Sequence, residues 1–162
     1  MAAVSVDAFK EAMRRFPSGV TVVTSVKNGE PRGVTVSAFA SVSLEPPTIL
    51  ICVNREARSY LFISTSKIFC VNILSADQQQ LAERFAARIR EKQFEGVPYS
   101  IDQTGAAVLS GVLAHLDCEV VEEHHAGSHS VFIGRVVSLD VSDGSPLGYF
   151  DGSYHDFALH VK

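Results

Sequence analysis

Along this chain, apolar residues alternate with polar ones, or run continuously over strand-like lengths, far more often than they recur at helical spacing. Residues 20–26 are rich in Val and Thr, residues 48–53 are a continuous apolar run of strand length, and residues 68–74 read as another strand. Residues 113–123 put Leu116, Cys118 and Val120 on one side against Asp117 and Glu119 on the other, residues 131–141 alternate over an even longer span, and a short strand is predicted at 147–150. A period of two is what a strand with one buried face produces. Helical spacing appears in three places. Ser5 is an N-cap candidate for a helix over residues 6–15 carrying Val6, Phe9, Ala12, Met13 and Phe16. A short helix runs through Tyr60, Leu61 and Ile63. Ser75 with Gln78 fits a capping box ahead of a helix with Leu81, Phe85 and Ile89 on its buried side.

Between these elements lie breakers. Asn28-Gly29 supplies the positive dihedrals of a tight hairpin, whose two arms both carry Gly-Val-Thr-Val, at 19–22 and 33–36. Pro46-Pro47 cannot donate to a ladder and ends the second arm, residues 124–129 form a hairpin connection, and residues 142–146 a turn. From Arg88 to Gly111 glycines and a proline punctuate the chain, which predicts mostly loop around Tyr99 to Asp102. Seven or so short strands with few helices indicate a mainly β fold, a barrel rather than a doubly wound sheet, formed as a single domain over residues 1–162.

The most informative stretch is residues 33–54. Thr35, Ser37, Ser41 and Ser43 all sit at odd positions, so a continuous strand would gather their hydroxyls on one uncharged polar face. Such a face suits close contact with a flat polar ligand or an anion, although a half-exposed edge strand shows the same period. Downstream, Arg55 and Arg58, with the Ser59 hydroxyl and the first N–H groups of the short helix, are candidates to hold a phosphate; a solvated loop with two cations fits equally well.

Composition narrows the classes. At 162 residues one core is feasible, while 46% hydrophobic residues and a mean hydropathy of +0.16 point to apolar surface spent on a subunit interface. A net charge of -4 without a basic tract argues against a nucleic-acid partner. The N-terminal residues lack a signal pattern and no apolar run reaches membrane length, so no membrane partner and a cytoplasmic location are expected. Cys52, Cys70 and Cys118 are isolated within apolar segments and read as buried thiols. Neither a dinucleotide-binding glycine fingerprint nor a phosphate-binding glycine loop occurs. His124, His125 and His129 lack completing ligands beyond Glu122 and Glu123, so no metal is expected, and Ser128 beside His129 has no nucleophile elbow around it.

Several segments in one order carry a resemblance: Phe-Pro-Ser-Gly-Val-Thr-Val-Val-Thr (16–24), Gly-Val-Thr-Val-Ser-Ala-Phe-Ala-Ser-Val-Ser-Leu-Glu-Pro-Pro (33–47), Phe-Cys-Val-Asn-Ile-Leu (69–74), Leu-Ala-Glu-Arg-Phe-Ala (81–86), Ala-Gly-Ser-His-Ser-Val-Phe-Ile-Gly-Arg-Val (126–136) and Pro-Leu-Gly-Tyr-Phe-Asp-Gly-Ser-Tyr-His (146–155). From Phe9 to Phe157 the chain resembles the flavin reductases that supply reduced flavin to two-component aromatic monooxygenases. The resemblance implies an FMN-binding split β-barrel, a homodimer, NADH as hydride donor, FAD or FMN as acceptor, and a separate flavin-dependent monooxygenase as partner. It implies roles by position. Thr35, Ser37, Ala38, Ser41 and Ser43 would lie along the isoalloxazine and ribityl chain; Cys52, Val53, Asn54 and Ser59 would reach the flavin's polar groups and phosphate; Phe85 would sit beside the cofactor. His129 would be the catalytic-site histidine placed against the nicotinamide, and Phe150 and Tyr154 would help pack NADH. Ser128 stands where the family usually has Asp, removing a carboxylate beside His129. Two other readings of the same barrel are a non-catalytic flavin-binding module and a pyridoxamine-phosphate oxidase-like enzyme; the second lacks a basic cluster for another phosphate near the C-terminus.

Overall fold

The computed structural model describes residues 3–87 and 92–157. The chain begins with α1 (Val6–Arg14), then β1 (Ser18–Gly19), β2 (Thr21–Lys27), β3 (Glu30–Val36), β4 (Phe39–Leu44) and β5 (Pro47–Asn54). After α2 (Arg58–Ser66) come β6 (Ile68–Ile73), a 3-10 turn (Ala76–Gln78) and α3 (Gln79–Ala86). The remainder is β7 (Tyr99–Ile101), β8 (Ala107–Leu109), β9 (Ala114–Ala126), β10 (His129–Val141), β11 (Leu147–Phe150) and β12 (Ser153–Asp156). Ile89 lies outside the described residues.

Local chemistry sets the boundaries as expected. Ser5 caps α1 by accepting the Ala8 N–H at 3.2 Å. Asn28 and Gly29 both take positive φ, 54° and 78°, and close the β2–β3 hairpin so that Thr21 pairs with Val36 and Thr24 with Gly33. The two Gly-Val-Thr-Val segments therefore fall on facing arms. Ser75 and Gln78 form the reciprocal capping box that starts the α3 region.

The principal sheet has seven strands in the order β3-β2-β6-β9-β10-β5-β4, antiparallel throughout. Its edge strands β3 and β4 are not paired with each other, so the barrel is split. One core fills the inside of the sheet beneath α2, with Ile49, Ile51 and Val53 of β5 meeting Phe69, Phe132 and Ile63. A second core lies on the other side of β2, where Val20, Val22 and Leu74 meet Ala82 and Phe85 of α3, Leu109 and Leu147. Because both faces of β2 are covered, Thr21 to Ser25 are all buried, and its hydroxyls must find acceptors. Thr21 donates to the Val36 carbonyl at 2.7 Å, Thr24 to Ala107 at 2.5 Å and Ser25 to Ile68 at 2.9 Å.

Three expectations need correcting. The hydroxyl-bearing stretch is not one strand. β3 ends at Val36 and pairs with β2, the chain crosses at Ser37-Ala38, and β4 begins at Phe39 and pairs with β5 at the opposite edge of the sheet. A register shift between Ser41 and Ser43 breaks the period again, so the hydroxyls do not share a face. The region predicted as loop around Tyr99 to Asp102 contains the hairpin β7–β8, too short to show a period. Buried Asn72 holds it to the sheet, accepting the Leu109 N–H at 2.8 Å while its amide donates to Val22 at 3.1 Å. Finally, the C-terminal strand is not alone: β12 folds back on β11, which also pairs with β1.

Candidate active site

The split between β3 and β4 opens onto a pocket of about 590 Å³. Its walls come from the end of β3, the Ser37-Ala38 crossing, the end of β5, the loop into α2 and the first residue of β10. Register explains the convergence: His129 pairs with Asn54, so the β9–β10 turn sits beside the end of β5. The Asn54 carboxamide oxygen accepts the Glu56 N–H at 2.8 Å and the Asn54 carbonyl accepts the Ala57 N–H at 3.0 Å, which fixes the loop that bounds the pocket. Ala57 is the N-cap of α2 and has no side-chain oxygen with which to cap it. The positive end of that helix thus faces the pocket rim.

At the crossing, Ser37 and Ala38 lie outside both ladders, and among the described residues neither backbone N–H is bonded to a main-chain carbonyl. Both residues are exposed and line the pocket. The Ala38 carbonyl accepts the Cys52 N–H at 3.0 Å and so seats the crossing on β5. Next to the pocket runs a more apolar groove of about 560 Å³ between α1 and the outer face of β4 and β5, walled by Phe9, Met13, Phe16, Phe39, Leu50 and Phe150. Ser37, Ala38 and Cys52 belong to both cavities, so the more apolar groove and the more polar pocket meet at the crossing. Both volumes fall in the range of ordinary ligand sites.

Of the residues singled out in the sequence, Thr35, Ser37, Ala38, Cys52, Val53, Asn54 and His129 are brought together around the pocket. Thr35 lines it, but its hydroxyl donates to the Ala82 carbonyl at 2.6 Å and ties β3 to α3. The others are placed elsewhere. Ser41 is exposed on β4, and the Ser43 hydroxyl accepts the Glu45 N–H at 3.2 Å. Ser59 is buried in the first turn of α2. Phe85 is fully buried in the second core. Phe150 walls the groove, and Tyr154 stacks edge-on against Tyr149 with ring centroids 5.3 Å apart.

Sequence reasoning missed the part that Glu56 and Ala57 play in the pocket and that Lys10 and Arg14 play in the groove. The signal for the groove was present in and just after α1, no residue of which is buried: Phe9 is 60% exposed, and Phe16, beyond the helix end, 70%. Arg55, considered for a phosphate, donates its guanidinium to the Gly127 carbonyl at 2.7 Å and its backbone N–H to the Ser128 carbonyl at 3.0 Å. The Ser128 hydroxyl lies 2.9 Å from Nδ1 of His129. His124 and Glu123, weighed as metal ligands, bond instead to Glu122 at 2.7 Å and to Lys67 at 2.9 Å. Burial pushes the Cys52 thiol up from its usual range, so this pocket residue is a neutral wall.

A split barrel whose opening offers backbone donors beside an apolar slot defines a binding site for a planar, polar-edged molecule. The chain belongs to the family described as flavin reductase like domain, which matches residues 13–158. It is 39% identical over 147 residues to the reductase subunit HsaB of a flavin-dependent monooxygenase from Rhodococcus jostii, covering 90% of this chain and 75% of that protein. It is 36% identical over 154 residues to the FMN reductase (NADH) RutF 2 of Methylorubrum extorquens, covering 94% and 90% respectively. The solved NADH:FAD oxidoreductase SgcE6 of Streptomyces globisporus, in complex with NAD and FAD fragments, superposes with a TM-score of 0.91 at 31% identity over 100% of both chains.

The residues present fit a flavin. An isoalloxazine needs apolar surface under its rings and hydrogen-bond partners along one edge, and the groove and the crossing supply these side by side.

Proposed function

We propose that this chain is an NADH-dependent flavin reductase, which oxidises NADH to NAD and supplies reduced FAD or FMN to a separate monooxygenase component. A flavin held at Ser37, Ala38 and Cys52 would supply the hydride-accepting chemistry. The chain's own work is to hold two rings in contact and to set the polarity of one edge. In this reading the Ser37 and Ala38 N–H groups donate to the polar edge of the ring system, Cys52 and Val53 wall it, and the rim of α2 near Asn54 faces the phosphate. His129 orients the nicotinamide and moves no proton. The chain acts as a single-domain homodimer: the apolar side of α1 and the groove beside it are left uncovered in one copy, and a second copy would enclose the ring-binding slot. A cytoplasmic setting, where NADH is available, follows from this activity.

The observation that carries the proposal is the break at Ser37-Ala38, which exposes backbone donors where the two cavities meet. The test mixes the purified protein with FMN or FAD and NADH and follows the nicotinamide absorbance. Rapid oxidation of NADH that depends on added flavin is expected. Tight flavin binding without NADH oxidation would instead identify a non-catalytic flavin-binding module.

A further inference from the structure

The two-residue turn between β9 and β10 points two carbonyls away from its own ladder, those of Gly127 and Ser128, and both go to one residue. The Arg55 backbone N–H bonds Ser128 O at 3.0 Å, which extends the β5–β10 ladder by one bond, and its guanidinium bonds Gly127 O at 2.7 Å. Gly127 takes a φ of +56°, so the turn depends on a conformation that outside bonds can fix or release. Holding both peptide planes fixes the backbone of His129, and the Ser128 hydroxyl, 2.9 Å from Nδ1, then restrains the ring. Arg55 also follows Val53 and Asn54, which wall the pocket, while Arg55 itself does not line it. A single residue therefore links the strand end on the flavin side to the turn that carries His129.

We propose that Arg55 is a positioning residue for His129, and that it sets nicotinamide affinity through the Gly127-Ser128-His129 turn and makes no contact with a phosphate. This rests on the reading of His129 given above. Arg55→Met should raise the KM for NADH about threefold to tenfold, the loss expected for one exposed hydrogen bond from a charged donor, and leave flavin affinity and kcat nearly unchanged. Because Arg55 acts through His129, the double variant Arg55→Met/His129→Ala should have the same KM as His129→Ala alone. In the flavin-free protein, the imidazole nitrogen resonances of His129 should shift or broaden in Arg55→Met. Arg55→Lys, which keeps a cationic donor, should recover part of the loss, and it replaces the Met variant if that one does not fold. Additive effects in the double variant, or a fall in flavin affinity with an unchanged KM for NADH, would place Arg55 on a phosphate and overturn the proposal. If His129→Ala leaves the KM unchanged, the role of His129 is wrong, and the nitrogen resonances alone then decide whether Arg55 positions the turn: unchanged resonances overturn it.

Discussion

Replacing Phe85 by Ala separates a wall of the core from a wall of the cofactor site. Phe85 is fully buried, its ring occupies the space where a side chain at Gly33 would begin, with ring atoms 2.6 Å from that point, and it meets Phe94 edge-on at 5.1 Å. Deleting a buried Phe side chain costs about 3–5 kcal/mol, through lost transfer energy and the cavity left behind. The neighbours cannot collapse easily into that cavity, because Gly33 has no side chain and Val22 and Ala82 are held by the sheet and the helix. For a chain of this size each kcal/mol moves the melting temperature by about 2–4 °C, so a fall of roughly 6–20 °C is expected. Thermal unfolding followed by circular dichroism measures it, and quenching of flavin fluorescence gives the affinity at a temperature where the variant is still folded. Phe85 lines neither cavity, so flavin affinity should change little. A melting temperature near that of the parent, together with a loss of flavin affinity of about tenfold, or 1.4 kcal/mol, would refute the reasoning and put the ring beside the cofactor.

Gly134→Ala should destabilise by about 1–3 kcal/mol, seen as a lower urea midpoint, because the added methyl would overlap the Phe69 ring and stand 3.1 Å from Cβ of Cys118. A thiol reagent should reach Cys52 slowly and Cys70 and Cys118 only on unfolding, since burial and the neighbouring Asp117 push the Cys118 thiol to about 12 and Cys70 up as well. Added FMN should protect Cys52, and labelling indifferent to flavin would contradict the site. Glu123 gives a pH signature: burial pushes its carboxyl up, but bonds from Lys67 at 2.9 Å and Ser64 at 3.0 Å bring it below its usual value overall. The stabilisation from this lowered carboxyl is fully present above the unfolded value, about 4.3, and is lost as pH falls through the lower folded one. Urea unfolding of Glu123→Gln should therefore show a flatter pH dependence in that acidic window, and an unchanged slope would remove Glu123 as its source.

What the chain's local chemistry determined was the set of elements and their ends. Alternation marked β9 and β10, Asn28-Gly29 closed a hairpin, and Ser5 and Ser75 began helices, because each signal depends on neighbours within a few residues. The ordered motifs also carried the family. Pairing partners and faces were decided only by the tertiary structure. A period of two says that successive side chains oppose each other but not which strand lies alongside, so a strand that ends at Val36 and a new one that begins at Phe39 looked like one. The same limit hid the buried second face of β2 and the small β7–β8 hairpin held by Asn72. Arg55 is the clearest case. Its charge suggested an anion, yet the pairing of His129 with Asn54 brings two turn carbonyls within its reach, and a bond to Gly127 across 72 positions of sequence exists only once the sheet has formed.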